Sequence, residues 1–441
     1  MLALLLCAGV AGLCSAAEDT GASYAGKSAA EWIQVLESRI EKETDEDKEA
    51  CRQAAAALGQ IGPAAKDAVP LLTKALQSPS LEFRHFAVDA LGRIGADAGE
   101  SIPAIVVEMD IPKDHINYAA LTRFRRYAAK ALGGIGVADQ EAVRVLEEAL
   151  ENEDRLYGVE AALALWKMNG NAKAIPALES IIQKDEAEGP FEAIMALRQI
   201  GPEAKSITDT LVATLKHDNA DLRRAAAKVL AQFGLSALTP VAQLLSGSEL
   251  AAPEEAAYVL GDVLAGIRKS KFYDHQLGQA EFVQAKEIVF DLVQPALVPL
   301  LSHERDEVRA VASRSLSQMG ILAVPLLLPV LDGDDQQARE SAIDTLIRLE
   351  PFLPGESPAS DGVEQMKREL ITPLMGLMGH TMLEVRRAAY RAFAEFSFGA
   401  GGTAAMPLLL KALRDPDAAI RRYATKARDE IAKVQPVDST N

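Results

Sequence analysis

Cysteine, aromatic side chains, paired histidines and positive charge are all scarce in this 441-residue chain, and each scarcity removes a class of explanation. Of three cysteines, Cys7 and Cys14 fall within the first 17 residues, which leaves Cys51 alone beyond them. A disulfide framework or a cysteine-based metal site is therefore excluded for the remaining chain. His85, His115, His217, His275, His303 and His380 show no i,i+3 or i,i+4 pairing, so no helix face carries two metal-binding imidazoles. Neither a Gly-x-Ser-x-Gly elbow nor a glycine-rich phosphate loop is present. These absences point to a protein that is not an enzyme and needs no cofactor or metal. Lysine and arginine number 46 against 63 acidic residues, a net charge of -17. Nucleic-acid binding rests on neutralising phosphates with cations, so no nucleic-acid partner is expected.

What is abundant is aliphatic. Apolar residues make up 49% of the chain but aromatics only 5%, so the core is built from Ala, Leu, Val and Ile. Alanine and leucine are strong helix formers, and runs such as Ala54-Ala55-Ala56-Ala57-Leu58 favour closely packed helices over strands. At this length a single globular core is exceeded, because cores stop growing near ~250–300 residues.

The first 17 residues, MLALLLCAGVAGLCSAA, carry no charge and stop at Glu18-Asp19. An apolar run closing on small residues predicts a signal peptide over 1–17, cut after Ala17, and a periplasmic or extracellular protein. The run falls short of the ~20 residues that span a bilayer, so no stable membrane insertion is expected after cleavage. No basic residue precedes it, and an uncleaved N-terminal anchor is the alternative. Leu13 before Cys14 is too large for a lipidation site. A short linker over 18–26 follows.

From there the chain repeats itself. FRHFAVDALGRIGADAGESIPAI at 83–105 nearly copies ACRQAAAALGQIGPAAKDAVPLL at 50–72. Each copy ends on a glycine: Gly62, Gly95, Gly136, Gly201, Gly234 and Gly320. One residue earlier stands Ile61, Ile94, Ile135, Ile200, Phe233 or Met319; four earlier stands a leucine (58, 91, 132, 197, 230, 316). Alanine holds the position eight earlier in every copy (54, 87, 128, 193, 226, 312). Offsets of one, four and eight trace one helical stripe, and the glycine fits a helix C-cap. A second helix precedes each of these, marked by Pro70, Pro103, Pro176, Pro299, Pro325, Pro373 or Pro407, which is expected to bend it at a constant place. Helix, turn, helix at a recurring step of about 31–34 residues means a solenoid, because a lone pair cannot bury its stripe. The array is expected over 27–434, with insertions near 109–118, 267–281 and 350–362 and a disordered tail over 435–441. The copies near 155–170 and 253–268 fit least well, with Trp166 in place of the usual leucine.

The turns carry a further mark. Ser80-Leu81-Glu82-Phe83-Arg84, Asp221-Leu222-Arg223, Asp306-Glu307-Val308-Arg309 and Asp417-Ala418-Ala419-Ile420-Arg421 place an arginine at the start of successive second helices. With the first-helix proline, this pattern resembles HEAT repeats, particularly the bacterial kind found in phycobilisome-lyase-like proteins. The resemblance covers nearly all of the chain beyond the signal. It implies an all-α solenoid, a right-handed superhelix of about eleven helix pairs. It further implies a protein or peptide partner held along a concave face lined by the second helices.

The resemblance also frames the candidate residues. In HEAT repeats an arginine at this place bonds an aspartate between neighbours, which would make Arg84, Arg125, Arg223, Arg309, Arg386 and Arg421 a structural ladder. Doubled arginines then leave Arg126, Arg224, Arg387 and Arg422 free to grip a partner. The cluster Lys269, Lys271, Phe272 and Tyr273 is a second candidate contact, since exposed aromatics beside cations anchor interfaces. Two other activities occur among such repeats. A di-iron hydroxylase site needs several His-Glu pairs, and only His303-Glu304 is present. Handling of a tetrapyrrole or client, as in the phycobilin lyases, is the alternative function. A self-associating envelope element is another.

Overall fold

The computed structural model describes residues 23–42, 44–109, 118–184, 188–247, 252–267, 289–349, 361–396 and 398–434. The expected signal with its cleavage site at Ala17, most of the three insertions and the tail lie outside them. Within them the chain is all-α apart from a minimal hairpin, in which Ser23–Tyr24 pairs with Lys27–Ser28. That hairpin occupies the end of the expected linker. It is tied to the array by the Trp32 indole, which donates to the Tyr24 carbonyl at 3.0 Å.

Two compact units divide the chain at residue 200. The first holds five helical hairpins: α1 (Ala29–Arg39) with α2 (Asp45–Ile61), α3 (Val69–Ala75) with α4 (Leu81–Ile94), α5 (Ile102–Met109) with α6 (Tyr118–Ile135), α7 (Gln140–Ala149) with α8 (Arg155–Asn169), and α9 (Ala174–Lys184) with α10 (Pro190–Ile200). The second holds six: α11 (Thr208–Thr214) with α12 (Ala220–Gln232), α13 (Leu235–Ser246) with α14 (Pro253–Ile267), α15 (Gln294–Leu297) with α16 (Asp306–Gln318), α17 (Val324–Leu331) with α18 (Gln336–Arg348), α19 (Asp361–Met378) with α20 (Leu383–Glu395), and α21 (Met406–Ala412) with α22 (Ala418–Val434). Even-numbered helices are the second members of their pairs, and within each unit each packs on the next. Each unit is thus an α-solenoid.

The stripe read from the sequence forms the core. Ala54, Leu58, Ala87, Leu91, Ala128 and Leu132 are fully buried, and so are Leu197, Leu230 and Leu316. Each buried leucine contributes roughly 1.5–3 kcal/mol, which no isolated hairpin could collect. All six closing glycines have φ between 60° and 84°. At Gly62 the pair is φ 70°, ψ -136°, a region that a side chain would close. The amide of Gly62 still bonds the Leu58 carbonyl, so the helix ends and reverses in a single residue.

Two local expectations need correcting. The recurring proline does not bend an established helix in repeats 2, 3, 9 and 11. A 3₁₀ turn runs first, as over Gly62–Ala68, and proline takes the second place of the α-helix that follows, where it has no hydrogen bond to lose. Only in α19 does Pro373 lie well inside. In α8, Trp166 does not replace a leucine. Leu165 takes the core position and Trp166 is half-buried, because this copy reaches its closing glycine one residue later after the core leucine, with Gly170 left-handed at φ 65°.

Candidate interaction surface

A side chain in the first turn of a helix leans back toward the N-terminus, and in these hairpins that directs it at the end of the partner helix. Four of the turn arginines use this geometry in the same way. Arg223 Nη1 donates to the carbonyls of His217 and Asp218, both at 2.9 Å. Arg309 does so to His303 (2.6 Å) and Glu304 (3.0 Å), Arg386 to His380 (2.9 Å) and Thr381 (2.8 Å), and Arg421 to Asp415 (2.7 Å) and Pro416 (2.8 Å). The carbonyls ending a helix have no amide left to accept from, and a cation there also meets the negative pole of the helix dipole. Arg125 donates from Nε to the Met109 carbonyl at 2.9 Å. Arg339, which the sequence reading passed over, donates to the Gly333 carbonyl. Arg84 differs: it pairs with Glu108 and lies over the Phe124 ring at 4.8 Å.

Most of these arginines therefore fasten the two helices of their own hairpin, where a ladder between neighbours was expected. In two doublets a bond between neighbours belongs to the next residue. Arg126 holds Asp154 at 2.7 Å, and Arg387 holds Asp417, its Nε at 3.0 Å. Both aspartates cap the following second helix: Asp154 accepts from the Tyr157 amide, and Asp417 from the amides of Ala419 and Ile420. Arg126 and Arg387, expected to be free for a partner, are bridges between repeats. Arg224 is exposed and sits 3.5 Å from Asp221, and Arg422 is exposed over the Tyr423 ring at 4.9 Å. Lys269, Lys271, Phe272 and Tyr273 lie outside the described residues.

The bridge at Asp417 responds to pH. Its bonds to Arg387 and to the helix amides hold the carboxyl at about 2, below its ordinary 3.8. A group depressed in the folded state stabilises above its unfolded pKa and loses that contribution as pH falls through the folded value. The stability gap between the native chain and Asp417→Asn, read as a difference in Tm, is expected to close as pH drops from 5 to 2. A gap that stays constant would mean that the bridge carries no net stabilisation.

A surface of a different kind lies on the second helices of the first unit. These helices approach closely because small residues face each other. A β-carbon on Gly59 would lie 3.0 Å from the Ala90 Cα, one on Gly92 2.6 Å from that of Ala131, and one on Gly133 2.8 Å from that of Ala164. These glycines escaped the sequence reading, although each stands three residues before a closing glycine and the spacing was there to see. The seam sets α4, α6 and α8 in register, and each turns an i, i+3/i+4, i+7 stripe outward. The stripes are Phe86, Asp89 and Arg93; Arg123, Tyr127 and Lys130; and Glu160 with Lys167.

Phe86 is 37% exposed. Beside it His85 packs against Tyr127, ring centroids 5.0 Å apart, and against Phe124 at 5.9 Å. Burial and the neighbouring Arg123 and Arg84 lower the His85 pKa, so it stays neutral near pH 7. Asp89 is held by Arg93 at 2.7 Å. Among the described residues Arg123 and Lys130 form no salt bridge, while Lys167 reaches the Gln199 amide oxygen at 3.1 Å. Burial pushes the Glu160 carboxyl up, against the pull of Lys130 and Lys167. The result is a cation-bordered aromatic patch on a rigid support.

Cys51 is buried, and burial raises its thiol pKa, which suits a packing residue and not a nucleophile. Among the described residues no group of three or more His, Cys, Asp or Glu side chains could hold a metal ion. No described helix is long and apolar enough to cross a membrane.

Residues 33–106 and 118–190 match the family model for HEAT repeats. These stretches, about a third of the chain, are HEAT repeats. No curated protein matches it. Among solved structures, an engineered protein is 20% identical with a TM-score of 0.35, over 92% of this chain and 99% of that one. Kap121p bound to Ste12p is 12% identical, TM-score 0.49, over 92% of this chain and 49% of that one. A structure of Kap95p with RanGDP is 15% identical, TM-score 0.47, over 92% and 56%. The chain spans about half the length of these two larger proteins.

Proposed function

We propose that this protein is a non-enzymatic scaffold that holds a protein partner on the second helices of its first unit, and that it works in the cell envelope after export. The observation that carries the binding role is the patch around Phe86 and Tyr127. A large aromatic side chain left 37% exposed on a close-packed helix layer, with Arg123 and Lys130 in no salt bridge among the described residues beside it, has the make-up of an interface anchor. HEAT-repeat solenoids are typical protein-interaction scaffolds, and stacked helices present such a patch without a catalytic pocket. The envelope assignment rests on the uncharged, apolar residues 1–17.

A photo-crosslinking amino acid at position 86, introduced in the native host, tests the binding role. One discrete adduct is expected there, diminished by Arg123→Glu with Lys130→Glu. None is expected from position 107, where Val107 is 69% exposed on a first helix. Equal adducts from both positions, or none from 86, would remove the patch as an interface. Recovery of the chain in the periplasmic or secreted fraction with its N-terminus at Glu18 is the expected companion result. An intact cytoplasmic chain would overturn the envelope assignment.

A further inference from the structure

Grooves between successive first helices recur along the array, and two of them differ in charge. In the first unit a groove of about 790 Å³ between α7 and α9 is neutralised from within. Arg144 is bound by Glu148 and Lys173 by Glu147, both at 2.6 Å. In the second unit a groove of about 1000 Å³ runs between the end of α19 and α21. His380, Arg386, Lys411 and Arg414 line it against a single carboxylate, Asp415. That carboxylate already accepts the Asp417 amide at 2.8 Å. Arg386 spends Nη1 on two backbone carbonyls and keeps its remaining N–H groups without a partner among the described residues. Lys411 and Arg414 are exposed and have no ion-pair partner there. At the rim Leu410 is 53% exposed.

In a chain of net charge -17, three cations with no ion-pair partner among the described residues line this one groove. We infer that the groove between repeats 10 and 11 binds an acidic peptide segment of a partner, its carboxylates on Lys411, Arg414 and Arg386 and an apolar side chain over Leu410. The inference rests on the reading of this chain as a protein-binding scaffold, and it uses a different surface from the Phe86 patch. Guanidinium and ammonium groups with free donors suit carboxylates. Their convergence on one edge favours capture of an anionic segment through long-range attraction. The groove volume lies at the upper end of the range for ligand sites, room for a few residues of extended chain.

The test is fluorescence anisotropy of the full chain with a labelled ten-residue peptide of glutamate and leucine. Lys411→Glu with Arg414→Glu is expected to weaken binding at least tenfold, and Leu410→Ala about threefold to tenfold. Lys205→Glu, a charge reversal at another exposed cation of the same unit, should change nothing. Binding should also fall as salt rises. Undiminished binding by the double variant would overturn the site. So would equal binding of the lysine counterpart peptide, or displacement by a single-stranded oligonucleotide at matched charge. The Phe86 adduct is the separate readout of the scaffold: its absence beside intact, Lys411-dependent peptide binding would remove the second-helix interface and leave the groove standing.

Discussion

Gly92→Ala is expected to destabilise the first unit by about 2–4 kcal/mol, whereas Gly376→Ala, the same chemical change, should stabilise the second by about 0.5–1 kcal/mol. Both glycines lie in helices, so alanine brings each the same gain in helix propensity. The difference is what the new methyl group meets. At Gly92 it would stand 2.6 Å from the Ala131 Cα and 3.3 Å from the Ala131 carbonyl oxygen. Backbone atoms cannot swing aside as the end of a long side chain can. The clash must instead part α4 from α6, against the fully buried Leu91 and Leu132 that hold them together. At Gly376 the methyl group meets nothing within 4 Å. For units of this size 1 kcal/mol corresponds to roughly 2–4 °C in Tm, so opposite shifts of about 4–16 °C down and about 1–4 °C up are readable by calorimetry. A neutral Gly92→Ala would mean that the helix seam is looser than its spacing implies.

Removing Arg223 is expected to cost far more than removing the charge it faces. Arg223 and Glu255 stand 3.5 Å apart, with side-chain exposures of 15% and 8%. The Arg223 Nε and one Glu255 oxygen have no hydrogen-bond partner, so the pair is held by charge and not by a bond. Arg223→Met strands a buried carboxylate and leaves two helix-ending carbonyls without their donor, a loss of about 3 kcal/mol or more. In Glu255→Gln the arginine keeps both carbonyl bonds, and the expected loss is below about 1 kcal/mol. Urea denaturation of the two variants decides the matter. Equal losses would assign the stabilisation to the ion pair, and the carbonyl bonds would then be incidental.

The sequence was informative wherever one physical rule acts on neighbours along the chain. The Ala-Leu-Ile stripe ahead of each glycine is a local periodicity, and the residues at offsets eight, four and one are buried in the structure. The closing glycines announce a backbone geometry that other residues avoid, and all six have positive φ. Arg126 and Arg387 were misread because their role depends on an aspartate about thirty residues away. Offset alone does not say whether the first or the second arginine of a doublet faces the next repeat. The Phe86 patch was invisible for a related reason. An aromatic residue at a helical offset reads as core until packing leaves one edge uncovered.

Composition and periodicity by themselves determined an all-α repeat array, its core stripe and the glycines that end its helices, because helix formation and capping depend on residues within a turn or two of one another. Tertiary structure alone decided which arginine clamps its own hairpin, which reaches its neighbour, where small residues draw the second helices together, and which cations are left without a carboxylate. Those outcomes are set by side chains that meet only when repeats some thirty residues apart are stacked, and charge pairing across that distance follows the geometry of the stack and not the order of the chain.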